Sequence, residues 1–421
     1  MEEIRQLTKS ELKDFMRIVL KGYPRFKMPF EPEAIGFKEM ILHEGEDPSI
    51  AHIGYFRDTQ LLGVMRFHNL SMNFFSKEIP VGGMGMLAVD LLHKKEKIAK
   101  KMMLYYLDYY HQKRAPLLII YPFSTEFYRK MGFGYGSKIH QYRLLPGSLR
   151  KRGAKNHLRY LGKEKREALL SCYIRFFQKT HGLIRKNAYE LNELFDGPDN
   201  IIVGFEKNGR ISGYIVFTFQ RGIERDIYAD NRYKNDIYVK EFVYESSEAL
   251  GEILSFLASQ YEQVNRIIIN THDEDFHHLL TDPGNGTDNV IDPLYHESSV
   301  SGVGLMYRVI GAEELFSQLK EHSLAEVTCT LRFDIEDSFY EKCSKSFTVR
   351  FKNGFPQVLV NAGFDTEVRM DISDFSSLMM GVVSFNKLYE YGLAEVSDKK
   401  YIGAINTLFS AKEKPVCLTG F

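Results

Sequence analysis

Apolar residues recur along this chain with two alternating periods, and their order predicts strands and helices mixed along one chain. Ile4 marks a first strand, and Ser10 to Val19 reads as a helix that Thr8 or Ser10 is placed to cap. Ala51 to Phe56 and Leu61 to His68 read as the arms of a hairpin, because the polar run Arg57-Asp58-Thr59-Gln60 separates them. Met84 to Val89 reads as another strand. After it the period turns helical, with Ile98, Met102, Tyr105 and Tyr109 making one apolar face. Leu117 to Tyr121 is a short apolar run of the kind that forms a buried strand.

The pattern then repeats. Gly54-Tyr-Phe-Arg-Asp-Thr-Gln-Leu-Leu-Gly-Val64 matches Gly204-Phe-Glu-Lys-Asn-Gly-Arg-Ile-Ser-Gly-Tyr214 in type and spacing, which predicts a duplicated unit. A strand at Ile237 to Tyr244, a helix at Ser247 to Tyr261 and a strand at Arg266 to Asn270 continue the same order. Thr281 to Pro293, rich in Asp, Pro and Gly, reads as a loop. A last segment begins around Gly304 to Val309. It offers strands at Glu326 to Ile335, Phe347 to Lys352 and Gln357 to Asn361, a turn at Asn353-Gly354, and helices from Ser373 and Lys400. With 421 residues the chain exceeds one ordinary core, and the expected division is 1–150, 151–303 and 304–421.

Charge narrows the function. The chain carries 55 basic and 55 acidic residues, so no global field draws it to nucleic acid or to an anionic membrane. Four cysteines without a C-x-x-C pair suggest buried thiols in a reducing compartment. No apolar run approaches the roughly 18 residues that span a bilayer, and the charged first residues lack a signal core, so a cytoplasmic protein is expected. His272-Asp-Glu-Asp-Phe-His-His278 invites a metal reading, yet no second ligand cluster accompanies it and no metal is expected.

The chemistry concentrates between Met84 and Gly136. A strand, a tight basic turn and a helix N-terminus together offer backbone N–H donors, a positive dipole end and nearby lysines to one anion, and phosphate is the natural guest. Lys94, Lys95, Lys97, Lys100 and Lys101 crowd the first turns of that helix, where cations oppose the dipole, so a reason other than helix stability is indicated. In the repeat the same place holds Tyr244-Glu-Ser-Ser-Glu-Ala-Leu250, whose acidic residues repel a pyrophosphate. The second unit is therefore expected to be structural.

Lys94-Lys-Glu-Lys-Ile-Ala99 resembles the acyl-CoA loop of the GCN5-related N-acetyltransferases (GNAT), usually Arg/Gln-x-x-Gly-x-Gly/Ala, with Lys97 in place of the central glycine. Tyr128-Arg-Lys-Met-Gly-Phe-Gly-Tyr135 and the final Phe421 are similar to one subgroup, the Eis-like (enhanced intracellular survival) acetyltransferases. That resemblance implies tandem GNAT-type mixed-sheet domains, the second degenerate, followed by a sterol-carrier-protein-like α+β domain. It implies an acetyl-CoA-dependent N-acetyltransferase acting on a small-molecule or peptide primary amine, such as an aminoglycoside, a polyamine or a lysine side chain, and a homo-oligomer, the hexamer of related proteins.

The same resemblance assigns roles. Tyr128 is the acid for the departing thiolate, and the terminal carboxylate of Phe421 is the base. Leu87, Ala88, Val89, Lys94, Lys95, Lys97, Ile98 and Ala99 contact acetyl-CoA, with Ser124 and Thr125 near its pantetheine end. Tyr23, Phe26, Met28, Phe30, Glu39 and Met84 wall the amine site, where aromatics pack on a carbon skeleton and a carboxylate attracts its charge, with His68 on the strand beside Met84. Some relatives carry an acidic residue before the final Phe; Gly420 stands there in this chain. The alternative reading is a non-catalytic acyl-CoA- or lipid-binding protein that uses the last domain. There an apolar helix within Met370 to Gly381 either lines a lipid pocket or simply packs.

Overall fold

The computed structural model describes residues 1–24, 37–150, 153–221, 235–287 and 289–421. It divides into two compact units, one formed by residues 1–136, 304–414 and 420–421, the other by 137–303 and 415–419. Among the described residues no helix is long and apolar enough to cross a membrane.

The first unit opens with β1 (Glu2–Gln6) and α1 (Leu12–Gly22), then α2 (Phe37–Glu44), β2 (Ile50–Arg57), β3 (Gln60–Phe74), β4 (Lys77–Val89), α3 (Ile98–Gln112), β5 (Leu117–Ile120), α4 (Thr125–Arg129) and β6 (Gly134–Tyr135). Thr8 and Glu11 form a reciprocal cap on the short turn before α1. The β2–β3 hairpin forms as expected, with Asp58 in the left-handed conformation at its turn. A second hairpin joins β3 to β4 through Phe75 and Ser76, both at positive φ, so β4 starts well before Met84. α1 packs on one face of this sheet with Phe56, Leu61, Val64 and Ala88. On the other face α3 buries Ile98, Met102, Met103, Tyr106, Leu107 and Tyr110. Tyr105 and Tyr109 are only half-buried beside this core, so the helix sits rotated from the face expected of the sequence.

The second unit follows the same plan: β7 (Lys138–Leu144), β8 (Leu158–Tyr160), α5 (Arg166–Lys179), α6 (Ala188–Asp196), β9 (Ile201–Lys207), β10 (Arg210–Arg221), β11 (Asn235–Tyr244), α7 (Ser247–Ala258) and β12 (Val264–Thr271). A small pair, β13 (Val290–Ile291) and β14 (Tyr295–His296), precedes β15 (Val300–Val303). The sheet runs in the order β15-β7-β12-β11-β10-β9-β8, and β11 and β12 lie parallel. The expected repeat is the hairpin β9–β10, turned by Asn208 and Gly209 at positive φ.

The chain then returns to the first unit. β16 (Met306–Val309) inserts between β5 and β6 and completes the order β1-β2-β3-β4-β5-β16-β6. α8 (Ala312–Gln318) leads into a five-stranded sheet built from β17 (Cys329–Glu336), β18 (Lys345–Lys352), β19 (Phe355–Leu359), β20 (Thr366–Asp371) and β21 (Ala394–Val396). Three helices accompany it, α9 (Ile372–Met379), α10 (Phe385–Glu390) and α11 (Ile402–Leu408). Asn353 and Gly354 make the expected turn. Its interior is filled by rings: Phe316, Phe333, Phe347, Phe351, Phe375 and Phe409 stack or meet edge to face. α9 packs rather than opening a pocket, with the Ser376 hydroxyl accepting from the Val309 N–H at 2.9 Å and the Ser377 hydroxyl donating to the Tyr135 carbonyl at 2.9 Å.

One fully buried ion pair ties these parts together. Arg308 on β16 reaches Asp337 through Nη2 and donates from Nη1 to the Met131 carbonyl, with neither charged side chain exposed. Asp337 also accepts the N–H groups of Phe339 and Tyr340. Gly132 sits at φ +78, and a Cβ there would stand 1.4 Å from Arg308 Nη1, so the glycine of the Met-Gly-Phe run is required by this guanidinium. Removing one partner of such a pair strands the other in a dry interior. Arg308→Met is expected to lower the stability of the first unit by about 3–5 kcal/mol in urea unfolding; an unchanged midpoint would show that the pair holds nothing.

Candidate active site

β4 is irregular where the chemistry is expected. It pairs with β3 as Gly63↔Val89 and Val64↔Ala88, then slips before Arg66↔Gly85, which leaves a bulge at Met86 and Leu87 with Met86 at φ +53. It pairs with β5 only from Val81↔Leu117 to Met84↔Ile120. Beyond Met84 the two parallel strands no longer pair, so from Gly85 to Val89 the strand ladder continues on the β3 side alone. The Tyr23 hydroxyl donates to the Leu87 carbonyl at 2.9 Å.

The basic turn follows directly. Lys95 and Lys97 both adopt positive φ, +71 and +62, and Lys97 is the residue before α3. Lys97 thus adopts the left-handed conformation that glycine favours, at a cost of about 1–2 kcal/mol. Its side chain points to solvent, like those of Lys94 and Lys95. No side chain caps α3, so its first N–H groups are available to an anion. Glu96, the one acidic residue in the turn, is held by Arg57 at 2.8 Å and His93 at 3.1 Å. These features fit a pyrophosphate.

Tyr128 is buried on α4 among the rings of Phe123, Phe127 and Phe133. Burial, with a smaller contribution from nearby Tyr23, pushes its phenol well above the usual tyrosine value, so it holds its proton. Burial likewise raises Tyr23. Ser124 caps α4 by accepting from the Phe127 N–H at 3.4 Å, and Thr125 is the first residue of that helix.

Phe421 lies on the α1 face of the sheet. Its ring meets those of Tyr121 and His68, with centroids 5.0 and 5.7 Å away. Its carboxyl carbon and oxygen stand 3.5 Å from where a Cβ of Gly85 would be, as does Arg66 Nη2. Beside it, next to His68, is a buried polar group of Arg66, Glu44 and His52, none of which is among the residues expected from the sequence. Arg66 Nη1 bonds Glu44 Oε1 at 2.6 Å, and His52 Nε2 stands 3.3 Å from Glu44 Oε2. Burial, then Arg66 and His52, hold His68 well below the ordinary imidazole value, so it is neutral near pH 7. The available signal was Arg66 and His68 at alternate positions of an otherwise apolar strand.

The expected residues thus fall into three groups. Tyr23, Leu87 and Tyr128 gather near the bulge, Lys94 to Ala99 form the uncapped turn, and Phe421 lies over Gly85. Met84 points to the α3 side and is buried in that core, on the opposite face of β4 from Gly83 and Gly85, where Phe421 lies. Phe26, Met28, Phe30 and the side chain of Glu39 lie outside the described residues. His272 bonds the Lys138 and Cys417 carbonyls at 2.9 and 3.3 Å, so its ring serves the second unit's packing.

Replacing Lys97 tests the strained turn. Lys97→Gly removes the left-handed penalty and adds about 0.5–1 kcal/mol of chain entropy to the unfolded state, for a net gain of about 0.5–1 kcal/mol in denaturant unfolding. A loss of stability would contradict the conformation described for this residue.

Comparison with known proteins agrees with this geometry. Residues 3–136 and 178–308 each match a model described as an acetyltransferase (GNAT) domain, and residues 313–418 match a sterol carrier protein domain. Among solved structures, a GCN5-related N-acetyltransferase from Anabaena variabilis is 15% identical with a TM-score of 0.78. A probable N-acyltransferase from Enterococcus faecalis is 16% identical at 0.79, and Eis1 from Mycobacterium abscessus 17% identical at 0.76. Each comparison covers 100% of both chains. No curated protein matches the sequence. GNAT domains use acetyl-CoA as co-substrate, in keeping with the uncapped basic turn. The chain is an N-acetyltransferase built from two GNAT domains and a sterol carrier protein domain.

Proposed function

We propose that the first domain transfers an acetyl group from acetyl-CoA to a primary amine, with Tyr128 as acid and the carboxylate of Phe421 as base. The observation that carries this reading is the placement of both groups about one bulged segment of β4, Tyr128 near Tyr23 and Leu87, Phe421 over Gly85. Acetyl-CoA supplies the thioester. The N-terminus of α3 with Lys94, Lys95 and Lys97 holds its pyrophosphate; Ser124 and Thr125 lie toward the pantetheine. The carboxylate of Phe421 takes a proton from the amine, whose nitrogen bonds the carbonyl carbon as the C–S bond breaks. The Tyr128 hydroxyl protonates the departing thiolate. A phenol with a raised pKa suits that task, because it stays protonated at working pH. Aminoglycosides, polyamines and lysine side chains are the acceptors proposed for this site, in a cytoplasmic hexamer as the family resemblance implies. The ring-filled interior of the C-terminal sheet weighs against the lipid-carrier alternative.

Two measurements test the roles. Extending the chain by one alanine after Phe421 moves the carboxylate away and is expected to lower turnover at least a hundredfold on a panel of amines, with acetyl-CoA affinity unchanged; undiminished thiol release would refute the base. Tyr128→Phe is expected to lower kcat by about 10²–10⁴. Because the Tyr128 pKa is raised, its acid form persists as pH climbs, so the wild-type kcat profile should show no descending limb below pH 10. A descending limb at pH 8–9 that disappears in Tyr128→Phe would contradict the burial-raised phenol.

A further inference from the structure

Pairing in the first sheet sets two rows side by side on its α1 face. Arg66 on β3 lies opposite Gly85 on β4, and His68 lies opposite Gly83. Because alternate residues of a strand share a face, each row sets a large polar side chain of β3 against a bare position of β4. Across the other edge of β3, His52 lies opposite Arg66. The two bare positions serve one occupant. A Cβ on Gly83 would stand 3.0 Å from Leu70 Cδ1, 3.2 Å from His68 Cβ and 3.3 Å from Phe421 Cδ2, and one on Gly85 would stand 3.5 Å from the carboxyl carbon and oxygen of Phe421. The ring of Phe421 thus lies over the His68 row and its carboxylate over the Arg66 row.

Charge fits the same arrangement. Arg66 is buried, and its guanidinium gives Nη1 to Glu44 Oε1 at 2.6 Å. Its Nε has no hydrogen-bond partner among the described residues. Nη2 is turned to Gly85, 3.5 Å from the same Cβ position that the terminal carboxyl approaches. A buried guanidinium needs acceptors for its fork of donors, and a carboxylate is the acceptor it fits best. Glu44 meets one arm of the fork; Phe421 brings a carboxylate to the side of the other. Glu44 is itself met at its second oxygen by His52 Nε2, 3.3 Å away. His68 is neutral, so it offers the ring of Phe421 an uncharged neighbour.

We propose that Arg66 is the positioning residue for the terminal carboxylate, that Glu44 and His52 hold Arg66 for this task, and that Gly83 and Gly85 keep the seat open. A chain end free to rotate about its last bonds would offer its base in many orientations. A guanidinium beside it selects one, which spares the reaction that entropy. The inference rests on the terminal-base reading of Phe421, and its test separates the two.

The test is a double-mutant cycle in the full-length protein, read by thiol release from acetyl-CoA and by calorimetric acetyl-CoA affinity. One arm is Arg66→Gln; the other is a single alanine added after Phe421. Arg66→Gln alone is expected to lower kcat by about tenfold or more, with acetyl-CoA affinity held within about twofold, because the residue acts on the base and not on the cofactor. In the extended chain the carboxylate has already been moved, so the same substitution should change the remaining turnover by less than about twofold. A residue that only supports the fold would cost the same factor in both backgrounds. Should Arg66→Gln fail to fold, Gly85→Val fills the space that the two groups share and carries the same expectations. Equal losses in both backgrounds, or wild-type kcat in folded Arg66→Gln with turnover still lost on extension, overturn the positioning role and leave the terminal base standing. Undiminished turnover on extension alone overturns the base, and this inference with it.

Discussion

The Arg308–Asp337 pair is the constraint on which the candidate active site depends. It is buried without exposure, so both charges must be met within the protein, and they are met by groups from separate stretches of chain. Arg308 belongs to a strand that returns to the first sheet after the whole second GNAT domain, while Asp337 begins the turn after the first strand of the C-terminal sheet. The guanidinium binds the Met131 carbonyl, in the turn where the Met131 and Phe133 N–H groups bond back to the Tyr128 carbonyl. The proposed acid is therefore fixed through the backbone by a contact that the sterol carrier domain completes. Arg129, next to Tyr128, adds a 2.6 Å contact to Asp374 on α9. A role for the last domain follows without any ligand: its Asp337 and Asp374 hold the returning strand and the turn after Tyr128.

Much of this was legible in the chain. The β2–β3 hairpin, its repeat at β9–β10, the helix after Lys97 and the Asn353-Gly354 turn all carry local signals that the fold obeys. Other features carry no local signal. Phe75 and Ser76 turn a hairpin in conformations usually reserved for Asn and Gly, so the long β3–β4 ribbon was invisible to turn chemistry. In the sequence Gly304 to Val309 marks only the start of the last segment; its pairing with β5 and β6 in the first sheet, which brings Arg308 to a partner many residues later, carries no local signal. The α3 face was misjudged because four tyrosines cluster there, and an aromatic period does not say which rings the core takes. Arg66 and Glu44 were missed because their meaning lies in a mutual contact between β3 and α2.

Duplication followed by divergence explains the second domain in physical terms. Its helix α7 occupies the place of α3, yet Ser246 caps it by accepting from the Ala249 N–H, and Glu245 is held by Arg175 and Arg210. An end already satisfied by its own side chain has little to offer a phosphate. The first domain kept its helix end bare and even tolerates left-handed lysines to do so. The same scaffold thus separates into a copy whose helix end is left uncapped and a copy whose helix end is capped and whose sheet buries the Glu241–Lys186 pair.

The most direct measurement is a calorimetric titration of the full-length protein with acetyl-CoA. One equivalent per chain is expected, with uptake weakened by raised salt and abolished when Lys94, Lys95 and Lys97 are replaced together by glutamate. Two equivalents per chain, or none, would contradict the division of labour between the bare and the capped helix.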